Sequence, residues 1–299
     1  MNLSGIKAFY SRIDFKYSLI VFAVLIFWSS SYIGIRFALE SFSPGNLGFL
    51  RYLTASVIFF IASLFRKFKV PSIRDLPGLT ALGLFGFALY NILLNYGETV
   101  VDAGSSSFII NTVPFFTLLF AVLTRTETAS KKDWTGMAVA FAGVTIIIIS
   151  KNQGIHAFNW HTLLILGAAV CQALYFMIQK KYLKKYTSFE LTSFSIWIGT
   201  LLLWVSTNHP FTNIQVAPFS QTMAVVYLGV FPGAAAFFLM GLALNKYQLS
   251  QISSYLFLIP FITVFISWAV ISEVISVYAL TGGILIILGI LIKNKFFKR

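Results

Sequence analysis

The chain has 299 residues, of which 58% are hydrophobic and 10% are charged, whereas soluble domains carry about 25% charged residues. This composition excludes a water-soluble protein and indicates an all-α integral membrane protein, because a helix satisfies its own backbone hydrogen bonds in lipid. The net charge of +13 does not indicate nucleic-acid binding, because the basic residues lie in short clusters between apolar runs, a pattern that orients helices in membranes.

Metal and redox chemistry have no support in the sequence. Cys171 is the single cysteine, so no disulfide can form within the chain, and the three histidines show no metal-ligand spacing. We therefore expect no metal, no cofactor and no enzymatic activity.

Apolar runs close to the 20 or so residues that cross a bilayer core recur along the chain. No obvious cleavage site follows the first run, so we expect it to be a retained span. A turn at Asn208-His209-Pro210 divides the long uncharged stretch between Glu190 and Lys246 into two spans. The ten predicted spans are residues 17–37, 46–65, 76–97, 103–124 and 134–150, followed by 160–179, 191–207, 222–244, 249–271 and 276–292.

The distribution of positive charge predicts the orientation of these spans. If the N-terminus is cytoplasmic, all 22 basic residues except Arg36, Arg51 and Lys151 face the cytoplasm. Cytoplasmic loops of membrane proteins carry such an excess of lysine and arginine. We therefore expect a multi-pass protein of the bacterial inner membrane with both termini in the cytoplasm.

The second half of the chain repeats landmarks of the first half. At a constant shift of 146 residues, Pro114, Glu127, Gly136 and Gly143 correspond to Pro260, Glu273, Gly282 and Gly289. The predicted topology places the two copies in opposite directions across the membrane. The sequence thus predicts two inverted five-helix repeats, residues 1–150 and 151–299, an arrangement typical of secondary transporters.

Several of these motifs resemble those of a known family. The first span contains Trp28-Ser-Ser-Ser-Tyr32, the second begins with Pro44 and continues to Arg51, and the fourth and ninth share the proline–glutamate layout. Over essentially its whole length the chain resembles the EamA branch of the drug/metabolite transporter superfamily. It departs from the pattern at Cys171, where a tryptophan is expected. The resemblance implies transport of a small metabolite, such as an amino acid, a nucleoside or a sugar.

Neutral polar and aromatic side chains near mid-membrane are the candidates for a substrate site. Amides and hydroxyls both donate and accept hydrogen bonds, and aromatic faces accept apolar or cationic groups, which suits a small neutral or zwitterionic solute. The alternative is that these residues only join helices, at about 0.6–2 kcal/mol per contact. The candidate substrate-binding residues are Trp28, Tyr32, Tyr90, Asn91, Asn95, Ser107, Asn111, Gln172, Tyr175, Gln179, Gln251, Ser254 and Tyr255.

The charged residues allow two further expectations. All nine acidic residues fall near span ends or in loops, which disfavours a proton-coupled exporter with a carboxylate deep in the membrane. Arg51 lies inside the second span; it either contacts a carboxylate or phosphate of the substrate, or it snorkels to the headgroups or pairs with an acid. We favour the second interpretation.

Prolines and glutamates mark the two symmetric helices. We expect Pro114 and Pro260 to be hinges, because each leaves one carbonyl without its usual donor. Glu127 and Glu273 are expected to cap the next short helix in the chain; the alternative is that they are gate residues that ionise during the transport cycle. Small residues at Gly136-x-x-x-Ala140 and Ala279-x-x-x-Gly283 form either a dimer face or an internal contact, so the protein is expected to be a monomer or a homodimer.

These observations predict a carrier that exports a small polar or amphipathic metabolite by alternating access. Its expected partners are this metabolite and the lipid bilayer, and we expect no nucleic-acid binding. Facilitated diffusion or exchange is favoured over proton coupling. The alternatives are a flippase for a lipid-linked substrate, which needs a lateral opening, and a membrane sensor, which normally carries a soluble domain.

Overall fold

A computed structural model describes residues 15–66, 68–101, 103–151, 160–271 and 277–293, and within these ranges the chain is helical without β-strands. Glu273 lies outside the described residues, and so do the predictions made for it. The helices are α1 (Phe15–Ala38), α2 (Pro44–Leu64), α3 (Ile73–Glu98), α4 (Ala103–Ile110), α5 (Val113–Leu123), α6 (Lys131–Lys151), α7 (Trp160–Tyr182), α8 (Ser188–Trp204), α9 (Pro210–Val216), α10 (Phe219–Lys246), α11 (Leu249–Ser254), α12 (Ile259–Ile271) and α13 (Val277–Lys293).

Many of these helices are long and apolar enough to cross a membrane. Within the described residues seven segments meet that condition: α1, α2, α3, Ser106–Leu123, α7, α10 and Leu249–Ile266. The remaining predicted spans coincide with α6, α8 and α13, of which α8 and α13 have 17 residues each. The protein is therefore a multi-pass helical membrane protein, and the count of ten crossings stays a prediction.

Two of the crossings are interrupted helices. The chain turns at Asn111 and Thr112 between α4 and α5, and a short 3₁₀ turn, Tyr255–Leu258, separates α11 from α12. Pro114 and Pro260 are each the second residue of the restarted helix, where a missing N–H costs little. Both prolines are buried in the protein.

Two other helices contain π-helical segments, Leu84–Ala88 in α3 and Gly229–Ala235 in α10. These wider turns leave carbonyl groups without their usual i→i+4 donors and are frequent at functional sites. Their positions in the chain also differ by about 146 residues, like the two helix breaks.

Helices α6 and α13 pack closely through glycines. A Cβ atom built on Gly143 would lie 2.5 Å from the Gly282 carbonyl oxygen, and one built on Gly289 would lie 2.5 Å from that of Gly136. Since Gly136 and Gly143 correspond to Gly282 and Gly289, each contact is the image of the other, as at a twofold interface. Gly136 and Ala140 thus face α13 of the same chain rather than a second copy.

Glu127 caps a different helix from the one predicted. Its two carboxylate oxygens accept hydrogen bonds from the backbone N–H groups of Leu249 (2.9 Å) and Ser250 (3.3 Å), at the start of α11. The prediction that it caps the next helix, α6, is wrong. The reason is that α5 packs beside α11, where the hydroxyls of Thr117 and Ser253 are 2.9 Å apart, so the carboxylate reaches an N-terminus that attracts negative charge.

The glycine contact predicts a measurable loss of stability. Gly289→Val should lower the melting temperature in detergent and cost about 1–3 kcal/mol through overpacking, because its nearest neighbours at 2.5 Å are backbone atoms of α6. Gly167→Val is the matched control, since its Cβ would meet only the Leu93 side chain at 3.3 Å. Equal shifts for the two variants would contradict the close packing of α6 on α13.

Candidate functional site

A central cavity lies between the two halves of the chain. Its volume is about 30 Å³, which is room for one or two water molecules. The lining residues come from α1, α2, α3, α7, α10 and both helix breaks: Trp28, Ser31, Tyr32, Arg51, Tyr90, Ile110, Asn111, Val113, Gln172, Phe237, Leu256 and Ile259.

Six of the residues selected from the sequence meet at this cavity. They are the aromatic side chains of Trp28, Tyr32 and Tyr90, the amides of Asn111 and Gln172, and Arg51. The Trp28 indole N–H donates to the Pro232 carbonyl oxygen, 3.3 Å away, in the π segment of α10. The indole therefore has a fixed orientation at the cavity wall.

Three other candidates lie behind the cavity lining. Asn91 contacts Arg51, and the Asn95 side chain donates to the Pro44 carbonyl oxygen at 3.0 Å. The Ser107 hydroxyl donates to the Gly104 carbonyl oxygen at 2.7 Å. These side chains support the residues of the cavity and do not line it.

The remaining candidates belong to the packed core or to helix surfaces. Tyr175 packs against the rings of Phe87, Phe176 and Phe237 at centroid distances of 5.4, 5.7 and 5.5 Å. Its hydroxyl accepts a hydrogen bond from Gln179 at 3.0 Å. The group on α11 and the 3₁₀ turn, Gln251, Ser254 and Tyr255, also lies away from the cavity, and the Ser254 hydroxyl donates to the Gln251 carbonyl oxygen.

Arg51 is the main difference from the sequence-based interpretation. Its side chain is 3% exposed, so the expectation that it snorkels to the headgroups is wrong. The Nε group donates to the Leu228 carbonyl oxygen at 3.2 Å, and Nη1 approaches the Asn91 Oδ1 atom at 3.4 Å. Two of the five N–H donors of a guanidinium are used in this way, which leaves donors for a ligand in the cavity.

The π segments explain how a cation is accommodated there. Leu228 immediately precedes the π segment of α10. The side-chain Nδ2 group of Asn91 donates at 2.7 Å to the carbonyl oxygen of Phe87, which belongs to the π segment of α3. Gly229 allows the close approach of α10, because a Cβ there would lie 2.5 Å from the Arg51 carbonyl oxygen. Both irregular helices thus supply acceptors to one buried charge.

Glu98 is also more buried than its position predicts. It is the last residue of α3, yet its side chain is fully buried. Its carboxylate is within electrostatic range of the Tyr32 and Tyr90 side chains. Glu98 is thus buried at the end of a span, and the expectation against proton coupling through an acid deep in the membrane stays a prediction.

Two amides leave polar atoms without partners at the cavity. The Asn111 Nδ2 group donates to the Ser107 carbonyl oxygen at 2.6 Å, which fixes the orientation of the amide. Its buried Oδ1 atom has no hydrogen-bond partner in the described part of the chain, and the same is true of the Gln172 Nε2 group. Buried unpaired polar atoms are costly, so these two groups are suited to a ligand or to water.

The sequence reasoning missed the apolar part of the lining. Two pairs, Ile110 with Leu256 and Val113 with Ile259, are again 146 residues apart, so the repeat itself was a usable signal. Pro114 and Pro260 have no N–H to donate to the carbonyls of Ile110 and Leu256, four residues earlier. Phe237, one of 32 phenylalanines, had no distinguishing signal.

Comparison with known proteins shows extensive similarity to transporters. The model of the EamA-like transporter family matches residues 15–149 and again residues 159–294. An uncharacterized transporter of Bacillus subtilis, YdfC, is 30% identical over 88% of this chain and 86% of its own length. A probable terminal-alkyne amino-acid exporter of Streptantibioticus cattleyicolor is 31% identical over 91% of both chains.

A solved structure, described as a crystal structure of a protein, has the same fold. It superposes with a TM-score of 0.73 over 93% of this chain and 96% of its own, at 16% identity. The shared fold and the two family matches cover nearly all of the described helices. The chain is a member of the EamA-like transporter family.

Proposed function

We propose that the protein is a ten-span secondary transporter with two inverted five-helix repeats, residues 1–150 and 151–299. It exports a small metabolite that carries a carboxylate, such as an amino acid, across the bacterial inner membrane by alternating access. Both termini are cytoplasmic, as the distribution of basic residues favours. The observation that carries the proposal is a buried arginine beside unpaired amide atoms in one central cavity.

The chemistry of the cavity supports an amino-acid substrate. The Arg51 guanidinium binds a carboxylate with short, charge-assisted hydrogen bonds, and the Gln172 N–H group donates to the same oxygens. The unpaired Asn111 oxygen accepts from an ammonium group, and aromatic faces such as that of Trp28 attract cations. Phe237 and the aliphatic residues of the two helix breaks contact the apolar part of the molecule.

The repeated structural features support inverted halves. The helix breaks, the π segments and the reciprocal glycine contacts each occur twice at a shift of about 146 residues. In transporters built from such repeats, interrupted helices meet at the substrate site near the middle of the bilayer. The similarity to an amino-acid exporter agrees with this substrate class.

Closure on both sides supports alternating access. On the proposed cytoplasmic side Glu127 binds the start of α11, and the Lys180 ammonium group donates to the Tyr247 carbonyl oxygen at 2.6 Å. On the opposite side Asn46 and Asn208 exchange hydrogen bonds of 2.8 and 2.9 Å. Since a cavity of about 30 Å³ cannot contain an amino acid, one of these sides has to open to admit it.

Arg51→Met tests the carboxylate contact. Uptake of labelled neutral amino acids into proteoliposomes should fall about ten- to a hundredfold, because a hydrogen bond to a charged group contributes about 1.5–3 kcal/mol. Arg74→Met is the matched control, since Arg74 is exposed in the first turn of α3 and should leave uptake nearly unchanged.

Competition in the same uptake assay tests the need for a carboxylate, and a lipid-scrambling measurement tests the carrier against a flippase. Phenylalanine should compete for uptake, whereas phenethylamine, which lacks the carboxylate, should not. Full transport by Arg51→Met, or equal competition by the amine, would overturn the role of Arg51. Scrambling of labelled lipid without solute uptake would overturn the carrier itself.

Replacement of both prolines tests the helix breaks. In a Pro114→Ala/Pro260→Ala variant the new N–H groups are able to bond the Ile110 and Leu256 carbonyls and stiffen each crossing. We expect a melting temperature within a few degrees of wild type and turnover lowered several-fold. Pro218→Ala, at an exposed position before α10, should change neither, and unchanged turnover in the double variant would refute the hinges.

A further inference from the structure

An open groove on the lipid-facing surface between α2 and α8 is separate from the central cavity. It has a volume of about 510 Å³ and is lined by Ser56, Val57, Phe60, Ser63, Phe68 and Trp197, none of which lines the cavity. We call it the α2–α8 groove. From Ser56 to Ser63 it follows α2 for about 10 Å at 1.5 Å per residue.

The walls of the groove are apolar, and their polar groups are already bonded within the protein. Val57 and Phe60 are 50% and 57% exposed. The Trp197 indole N–H donates to the Ser56 carbonyl oxygen at 3.2 Å, and the Ser63 hydroxyl donates to the Phe60 carbonyl oxygen at 2.6 Å. A polar solute finds no unsatisfied groups there, whereas a hydrocarbon chain loses nothing on entering.

Aromatic packing fixes Phe68 at the groove. Phe68 follows α2 and packs against Phe194 and Trp197 at centroid distances of 4.9 and 5.5 Å. The backbone N–H of the next residue, Lys69, donates to a Glu190 carboxylate oxygen at 2.8 Å. The segment after α2, which contributes Phe68 to the groove, is therefore anchored to α8.

Two exposed cations flank Phe68 in the chain. The Arg66 guanidinium lies over the Phe189 ring at 5.1 Å, and the Lys69 ammonium group lies over the Tyr186 ring at 5.4 Å. In the described part of the chain neither side chain forms an ion pair; the pair found nearby joins Lys185 to Asp75. In the proposed orientation these cations lie at the cytoplasmic headgroup level, where anionic lipids attract basic residues.

We propose that the α2–α8 groove binds one acyl chain of an anionic phospholipid whose phosphate contacts Arg66 and Lys69. An apolar channel that leads to a pair of cations matches the two chemical parts of such a lipid. A second copy of the chain fits less well, because its own basic loops would meet these charges. The lipid stays bound at the surface and is not transported. Only the choice of leaflet rests on the proposed function.

Native mass spectrometry of the purified protein tests this site with phosphatidylglycerol and phosphatidylcholine as probes. Wild type should bind phosphatidylglycerol at least about tenfold more tightly than phosphatidylcholine. Arg66→Gln/Lys69→Gln should remove this preference, because each basic residue near an anionic headgroup contributes to binding. Lys131→Gln/Lys132→Gln removes the same charge from exposed positions at the start of α6 and should preserve the preference.

Filling the groove provides an independent test of the acyl-chain contact. Val57→Trp leaves both cations in place and should weaken phosphatidylglycerol binding several-fold, while the melting temperature in lipid-free detergent stays within a few degrees. If Arg66→Gln/Lys69→Gln and Lys131→Gln/Lys132→Gln lost the preference for phosphatidylglycerol equally, general charge attraction would explain it. That result would overturn the proposal. Scrambling of labelled phosphatidylglycerol by the reconstituted protein would also overturn it, whereas loss of amino-acid transport alone would not.

Discussion

A buried guanidinium imposes the strongest constraint on this structure. Removal of a cation from water costs several kcal/mol unless its donors find acceptors. Ordinary helices have few acceptors to offer, because their carbonyls are engaged within the helix. The π segments of α3 and α10 change this at one point, where the Leu228 carbonyl binds Arg51 directly and the Phe87 carbonyl positions Asn91. The irregular turns are thus a requirement of the charge and not defects of the helices.

The same feature connects the fold to the site. α2 brings Arg51 to the cavity only because Gly229 allows α10 to approach its backbone. The interrupted crossings then bring Asn111 and four aliphatic residues to the other side of the cavity. The departures from helical regularity are therefore the features that supply acceptors to Arg51 and shape the central cavity.

Much of this arrangement follows from the sequence, and the failures have identifiable causes. The shift of 146 residues located both helix breaks, because prolines and glycines have specific backbone requirements. Burial of Arg51 and Glu98 did not follow, since depth along a helix does not reveal which neighbours cover a side chain. Tyr175 and Gln179 share a helix face with Gln172, yet only Gln172 reaches the cavity. Periodicity selects the face of one helix, whereas the cavity lining depends on how seven elements are arranged around the cavity.

The hydrogen-bond partner of Glu127 likewise could not be predicted from a local sequence pattern. A carboxylate at a helix end predicts a cap, but the identity of the capped helix depends on the packing of α5 against α11. The sequence distance between the two is large, so no local pattern reports it. If the two halves are inverted, the equivalent crossings α4–α5 and α11–α12 run in opposite directions. When they lie side by side, the end of the first is next to the start of the second, where Glu127 finds its partner.

The small volume of the central cavity has a consequence for turnover. In the proposed function, the substrate carboxylate neutralises Arg51 and the amides of Asn111 and Gln172 are paired. Without substrate, a cavity of about 30 Å³ holds only water in its place, which carries no charge to balance that of Arg51. In the proposed cycle, the empty carrier therefore reorients less readily than the loaded one. This asymmetry favours antiport, in which a second solute occupies the site on the return half of the cycle.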